Sequence, residues 1–416
     1  MNKLVSNFNW LFLSSLVFGF SQWILISIIN KFGTIEMVGL YSVSLAIVAP
    51  IFLMTNMNLN ILQVTDTSKE YPLKSLFIFR LSSSLFAFFV ILLIILTIPN
   101  EKFDLQLVIL LSVWRLIESQ IEIFYGGYER IEDMKSSAYS KFFRGIANIV
   151  AMSIGMILVE ELYFSILLMI IFNCFIFGWE YRKNTDEMHL VNEKNNILSL
   201  KMIQKITIIS LPLAVANFLD SFSINLQRII LSYYAELDTV GYFTSLTFIM
   251  IAGQTVFSSI GRAFLPRLSS YHDTDFIKFK KMVVKFYIFG VFLSTVILLI
   301  VSSFGTKILP LLYTEEYKNF GDEFILIMIG GVIWYSAGFL NISVYATKKF
   351  KNQFYVYFVS FIIFTLSTYV FLEKEASLQS VAIALILGML SRKVMLIIVL
   401  VIYLKDDRRV KYEKAV

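Results

Sequence analysis

The sequence predicts an all-α polytopic membrane protein of about twelve transmembrane helices in two six-helix lobes. Hydrophobic residues make up 57% of the 416 residues, against about 45–50% apolar residues in soluble chains, and mean hydropathy is +0.74. Apolar spans recur near 10–29, 38–62, 76–98, 105–124, 145–159, 162–179, 206–233, 240–261, 286–304, 324–345, 354–372 and 378–404. Such spans cross a hydrocarbon core of about 30 Å as helices, because lipid offers backbone groups no partners. None alternates like a barrel strand. The loops between them alternate in charge. With the N-terminus inside, the inside segments hold 26 of the 36 Lys and Arg; the outside loops hold five, with 13 of the 30 Asp and Glu. That asymmetry satisfies the positive-inside rule in one orientation only, so both termini are expected in the cytoplasm.

Span one carries no formal charge, only Ser14, Ser15, Ser21 and Gln22 within an arc of about 120°. These groups read as interhelical glue or as a mildly polar cavity wall. The span is too long for a signal-peptide core and no small-residue cleavage site follows it, so it is expected to stay in the membrane. Span two closes with Asn56, Asn58 and Asn60. Alternating Asn cannot share one helical face, so a broken or water-exposed helix end is expected there. Arg80 in span three, and Arg392 and Lys393 in span twelve, are expected to snorkel to the interface.

Span four is the most polar. Arg115, Glu118, Glu122 and Tyr125 follow spacings of three, four and three, an arc of about 80°. One reading is a strip lining a substrate cavity, Arg115 offering its fork to phosphate or carboxylate. The other is an Arg115–Glu118 pair that packs helices. Glu122, left unneutralised within the strip, favours the first.

Cys174 in span six is the single cysteine, which excludes a disulfide framework and a thiolate metal cluster. His189 and His272 fall in inside loops, so no intramembrane metal site and no cofactor is expected. The longest inside segment, 180–205, divides the chain into an N-terminal lobe (1–185), a cytoplasmic linker (186–205) and a C-terminal lobe (206–416). In span seven, Asn217, Asp220, Gln227 and Arg228 share an arc of about 100°, with Pro212 expected to bend the helix. Asp220 reads as an H⁺ or Na⁺ coupling site or as a counter-ion to Arg228. Span eight offers Gln254, Ser258 and Arg262 beside Gly253 and Gly261, which permit close helix approach; Arg262 is expected to anchor at the interface. The longest outside loop, Thr306–Glu323, has eighteen residues, too few for an extramembrane catalytic domain.

Two faint repeats point to duplication. Val38-Gly39 in span two recurs as Val240-Gly241 in span eight, 202 positions on, and the pair Trp114 and Tyr125 recurs as Trp334 and Tyr345, 220 positions on. Each second copy keeps its orientation, so the repeat is parallel, about an axis along the membrane normal. No phosphate-binding loop, HExxH or nucleophile elbow is present, which leaves an ion gradient, the membrane potential or no energy source within this chain. A pI near 9.0 is read as orientation and contact with anionic lipid headgroups, not nucleic-acid binding.

Leu211-Pro212-Leu213-Ala214, Asp220, Asn225-Leu226-Gln227-Arg228, Val240-Gly241-Tyr242-Phe243 and Leu265-Pro266-Arg267-Leu268 together resemble the polysaccharide (O-antigen and repeat-unit) flippases of the MOP exporter superfamily. Phe124-Tyr125-Gly126-Gly127-Tyr128-Glu129-Arg130 and Lys141-Phe142-Phe143-Arg144-Gly145 look like that family's loop between helices four and five. The resemblance implies a MOP/MATE-like fold with a central cavity lined by helices one and seven. It implies alternating-access transfer of a polyprenyl-pyrophosphate-linked oligosaccharide across a bacterial cytoplasmic membrane, alongside polymerase and chain-length proteins. By carry-over, Asp220 and Arg228 are the best cavity positions. Gln227 stands where the family has Pro, span one lacks the charges of lipid II flippases, and the C-terminal third departs most. The expected cavity set is Gln22, Arg115, Glu118, Glu122, Asn217, Gln227 and Arg228, with Asp220 as the ion-coupling candidate. A cation-coupled small-molecule exporter and an integral-membrane glycan polymerase or ligase, with Lys307, Tyr313, Glu315 and Glu316 as its only outside groups, remain alternatives.

Overall fold

The computed structural model describes residues 2–65, 71–97, 103–184, 199–347 and 351–405, and these are almost entirely helical. In chain order the helices are α1 (Asn2–Phe32), α2 (Ile35–Thr55), α3 (Leu59–Thr65), α4 (Leu73–Thr97), α5 (Leu105–Arg130) and α6 (Met134–Ile154). A π-helical turn, Gly155–Val159, extends α6. There follow α7 (Leu162–Lys183), α8 (Leu200–Tyr234), α9 (Leu237–Thr274), α10 (Phe276–Leu312), a 3₁₀ turn (Glu315–Phe320), α11 (Gly321–Ala346), α12 (Lys351–Lys374) and α13 (Leu378–Lys405). Among the described residues, eleven helical stretches are long and apolar enough to cross a membrane, α2 and α3 counting as one. The remaining long helix, α5, carries Arg115, Glu118 and Glu122 in every membrane-length window and completes about twelve. The chain is therefore a multi-pass, all-helical membrane protein.

The helices overrun the apolar spans because hydropathy marks only the lipid-crossing part, whereas hydrogen bonding carries a helix on into polar sequence. The fifth span, expected from 145, starts at Met134. Its start is set by Asp133, whose side chain accepts from the Ser136 N–H at 3.1 Å; Thr34, Asp104 and Asp275 cap α2, α5 and α10 in the same way. At the last of these, the Lys278 backbone N–H, and then its ammonium, hold the Asp275 carboxyl below the usual carboxylate range. The expected outside loop Thr306–Glu323 is helix as far as Leu312 and a 3₁₀ turn from Glu315. Of its proposed reactive groups, Tyr313 is buried and has a packing role, whereas Glu315 is exposed. Tyr313 Oη donates to the Ser245 carbonyl and Tyr317 Oη to Ser245 Oγ, both at 2.8 Å, while Glu315 pairs with Lys318.

Packing divides the chain into two compact units, Met1–Ser232 with Glu236–Thr244, and Tyr233–Ala235 with Ser245–Val416. In the first, α1 lies along α6, with Gly145 against Ser21, and Leu59, Leu76, Phe79, Phe124, Tyr128 and Ile206 form a buried core. In the second, Gly290 meets the Phe339 ring and Gly388 the Phe364 ring. Most of the expected linker, including His189, lies outside the described residues.

Within the first unit, the opening turns of α2 and α9 pack reciprocally. A Cβ on Gly39 would collide with the Leu237 carbonyl, and one on Gly241 with the Ile35 carbonyl. Ser42 and Thr244 hydroxyls hydrogen-bond at 2.8 Å. Every one of these contacts joins a residue to the neighbourhood of its counterpart 202 positions away, the offset of the Val-Gly repeat. Reciprocity of this kind is what a two-fold relation produces.

Candidate functional site

Span two is broken, as the alternating Asn residues imply. Helix α2 ends at Thr55 and α3 starts at Leu59; between them Met57 and Asn58 adopt left-handed backbone angles, φ 51° and 49°. Breaking the helix turns the three Asn side chains toward three different helices. Asn56 Oδ1 accepts from Ser119 Oγ on α5 at 2.6 Å. Asn58 Oδ1 accepts from Asn217 Nδ2 on α8 at 3.0 Å. Asn60 Oδ1 accepts from Arg80 Nη2 on α4 at 3.1 Å. Ser84 and Gln120 extend this ladder through Ser119.

Beside the break lies the α5 strip. Arg115 Nη1 donates to Glu118 Oε2 at 2.7 Å, and its guanidinium stacks 4.5 Å over the Trp114 ring. The sequence reading left Glu122 unneutralised; the structure corrects it. Arg144, which the short span five had left in a loop, sits on α6 and is 1% exposed. Its Nη2 is 3.4 Å from Glu122 Oε1 and its Nε 3.7 Å from Glu118 Oε1. Its guanidinium also lies 4.3 Å over the Phe18 ring of α1. Desolvating a guanidinium is costly, and two carboxylates plus a ring face are what make it tolerable here. The signal that would have found Arg144 is Asp133, a helix-start residue eleven positions before it.

Arg80 is a second correction. It does not snorkel: it is 1% exposed. Arg392 is likewise buried, 5.2 Å over the Tyr357 ring, while Lys393 is half-buried over Tyr287. Arg262 is exposed and bonds back to Ser258, as an interfacial anchor would.

Of the remaining predicted residues, Gln22 on α1 is half-buried, its Nε2 buried without a hydrogen-bond partner. Arg228 and Gln227 on α8 are 2% and 1% exposed. Arg228 Nη1 donates to Asn225 Oδ1 at 3.2 Å, so the Asn-x-x-Arg element is a bonded pair one turn apart. Asp220, half-buried, lies two turns before Arg228. The structure thus gathers Arg115, Glu118 and Glu122 into one network with Arg80 and Arg144 nearby, and ties Asn217 to the helix break.

At 1.5 Å per residue, Arg80, Glu122 and Arg144 lie about 10, 12 and 15 Å from the ends of α4, α5 and α6 that meet the basic loops. Buried charge at such depth marks a functional position by default. Three guanidinia and two carboxylates on adjacent helices can bind an oxyanion or exchange partners among themselves.

Comparison with known proteins agrees with this architecture. No family model matches the chain. It is 27% identical over 360 residues to the capsular polysaccharide biosynthesis protein CapF of Staphylococcus aureus, covering 84% of this chain and 88% of that one. Among solved structures, an inward-facing multidrug resistance MATE family transporter of the MOP superfamily aligns with a TM-score of 0.64 at 11% identity, covering 96% of this chain and 94% of that one. A variant of the Vibrio cholerae MATE transporter VcmN aligns equally well, over 98% and 99% of the two chains at 11% identity. The chain shares the fold of these MATE transporters and is similar in sequence to a capsular polysaccharide biosynthesis protein, in line with the resemblance carried by the sequence motifs.

Proposed function

We propose that this chain, built on the MOP-superfamily transporter fold, is a flippase. It moves polyprenyl-pyrophosphate-linked oligosaccharide repeat units across the bacterial cytoplasmic membrane by alternating access, for surface polysaccharide synthesis. The observation that carries the reading is the pair of buried guanidinia, Arg80 and Arg144, with the half-buried Arg115 beside them and two carboxylates, Glu118 and Glu122, among the described residues. Guanidinium forks match phosphate oxygens bidentately, and the likeness to a capsular polysaccharide biosynthesis protein points to a glycan cargo. In this reading both termini are cytoplasmic, the chain is organised as lobes 1–185 and 206–416 joined by 186–205, and it is no enzyme. Polymerase and chain-length proteins act on what it delivers.

The test is Arg228→Ala in the native strain. Surface polysaccharide is expected to disappear while membrane abundance of the protein is unchanged; full polymer output from that variant refutes the role.

A second reading, a cation-coupled small-molecule exporter using Asp220, is favoured by the MATE neighbours. Deletion separates the two: loss of surface glycan with unchanged drug susceptibility belongs to the flippase, the reverse to the exporter.

A further inference from the structure

The two carboxylates of the α5 strip are held in different ways. Glu118 is 2% exposed and takes a short 2.7 Å bond from Arg115. Glu122 keeps 31% of its side chain exposed, and both Nη atoms of Arg144 reach it only at 3.4 Å. A charge-assisted bond at rest is about 2.7–2.9 Å long. Glu118 is therefore fixed in the packing, while Glu122 is a loose and accessible occupant of the Arg144 fork.

Arg80 supplies the other wall. A guanidinium has five N–H donors. Arg80, 1% exposed, spends one on Asn60, and its Nε and Nη1 are buried with no hydrogen-bond partner. One turn along α4, Ser84 bonds Ser119 of α5, so in this antiparallel pair Arg80 lies level with Glu122, which Arg144 reaches from α6. Two buried cations from α4 and α6 thus converge on one carboxylate from α5 that neither holds tightly. A carboxylate presents two oxygens in a plane, much as one edge of a phosphate does.

We propose that Glu122 is an internal place-holder in an oxyanion site, standing where Arg80 and Arg144 receive the pyrophosphate of the lipid-linked substrate. On binding, phosphate oxygens take the Arg144 fork and the idle Nε and Nη1 groups of Arg80, and Glu122 swings to the exposed side. On release, Glu122 returns and neutralises the guanidinia, so the empty site does not hold a bare charge in the membrane. The exchange explains how a site that binds a doubly charged group can let it go. This inference rests on the flippase reading for the identity of the ligand, and on the geometry alone for the existence of the site.

The experiment measures binding to the purified full chain in nanodiscs, with polyprenyl pyrophosphate, inorganic pyrophosphate and phosphatidylglycerol as probes. If Glu122 fills the site about nine-tenths of the time, Glu122→Gln, which removes its competing charge, tightens polyprenyl pyrophosphate by about tenfold. Arg80→Lys, which keeps the charge but loses the fork, weakens it several-fold with Glu122 intact, and this arm stands even if the Gln variant fails to fold. Unchanged or weaker binding by Glu122→Gln, with Arg228→Ala still abolishing surface glycan, overturns the place-holder and leaves the flippase standing. Tighter inorganic pyrophosphate in a chain whose deletion spares the glycan supports the site and overturns the flippase reading. An equal gain for phosphatidylglycerol overturns the assignment to the carrier's pyrophosphate.

Discussion

Arg144 is the residue on which the buried network turns. It lies between two carboxylates of one helix and a phenyl face of another, and removing it leaves Glu118 buried with only Arg115. Breaking a buried pair from one side costs about 3–5 kcal/mol, and a cavity the size of a guanidinium adds to that. Arg144→Ala is therefore expected to lower the melting temperature of the detergent-purified protein by several degrees, and more than Glu122→Ala, whose side chain is partly exposed. Equal shifts from the two would mean that Arg144 is no anchor. The strip of Arg115, Glu118 and Glu122 was legible in the sequence because three-four spacing on a helix fixes a face. Arg144 was not, because an apolar window cannot see a charged residue whose cost is met by residues elsewhere in the chain. Arg80 was misread for the same reason: snorkelling is the default for one cation near a span end, and only the position of Asn60 overturns it.

At the scale of elements, the broken second span is the device that lets one helix satisfy three. An unbroken helix would point Asn56, Asn58 and Asn60 about 200° apart in succession, so one or two would face lipid. Two left-handed residues, Met57 and Asn58, redirect the chain, at a cost of about 1–2 kcal/mol for each non-glycine residue. Hydrogen bonds to Ser119, Asn217 and Arg80 offset that cost. Asn60→Leu removes the one acceptor Arg80 has among the described residues and leaves a buried guanidinium with one partner fewer, a loss of about 1.5–3 kcal/mol. Thermal unfolding in detergent checks it, and a shift no larger than that of an exposed control such as Ile61→Leu would show that Arg80 is satisfied in some other way. The alternation of Asn announced the break; which helices it would serve needed the tertiary contacts.

For the whole molecule, the duplication is written in the contacts as well as in the sequence. Gly39 faces Leu237 and Gly241 faces Ile35 across the same close approach of α2 and α9, with Ser42 and Thr244 bonded between them. The charges were not copied with the fold. By the 220-residue offset of the Trp-Tyr pair, Arg115, Glu118 and Glu122 correspond to Tyr335, Gly338 and Ile342. Tyr335 is fully buried and donates to the Met250 carbonyl, and Gly338 packs on Gln254. One copy of the repeat thus keeps the charged strip while the other has apolar packing in its place. If the reciprocal contact is the product of an exact repeat, its two glycines sit in equivalent surroundings and must respond alike. Gly39→Ala and Gly241→Ala each force a methyl into a backbone carbonyl, overpacking worth about 1–3 kcal/mol. Because both open the same crossing, the double variant should cost clearly less than the sum of the singles. Gly178→Ala, where a methyl meets nothing within 4 Å, is the control and should be neutral or slightly stabilising in its helix. Melting temperatures of the four variants decide the point. Two single shifts of very different size, or full additivity in the double, would mean that the 202-residue correspondence is a coincidence of apolar sequence and that the two glycines act independently.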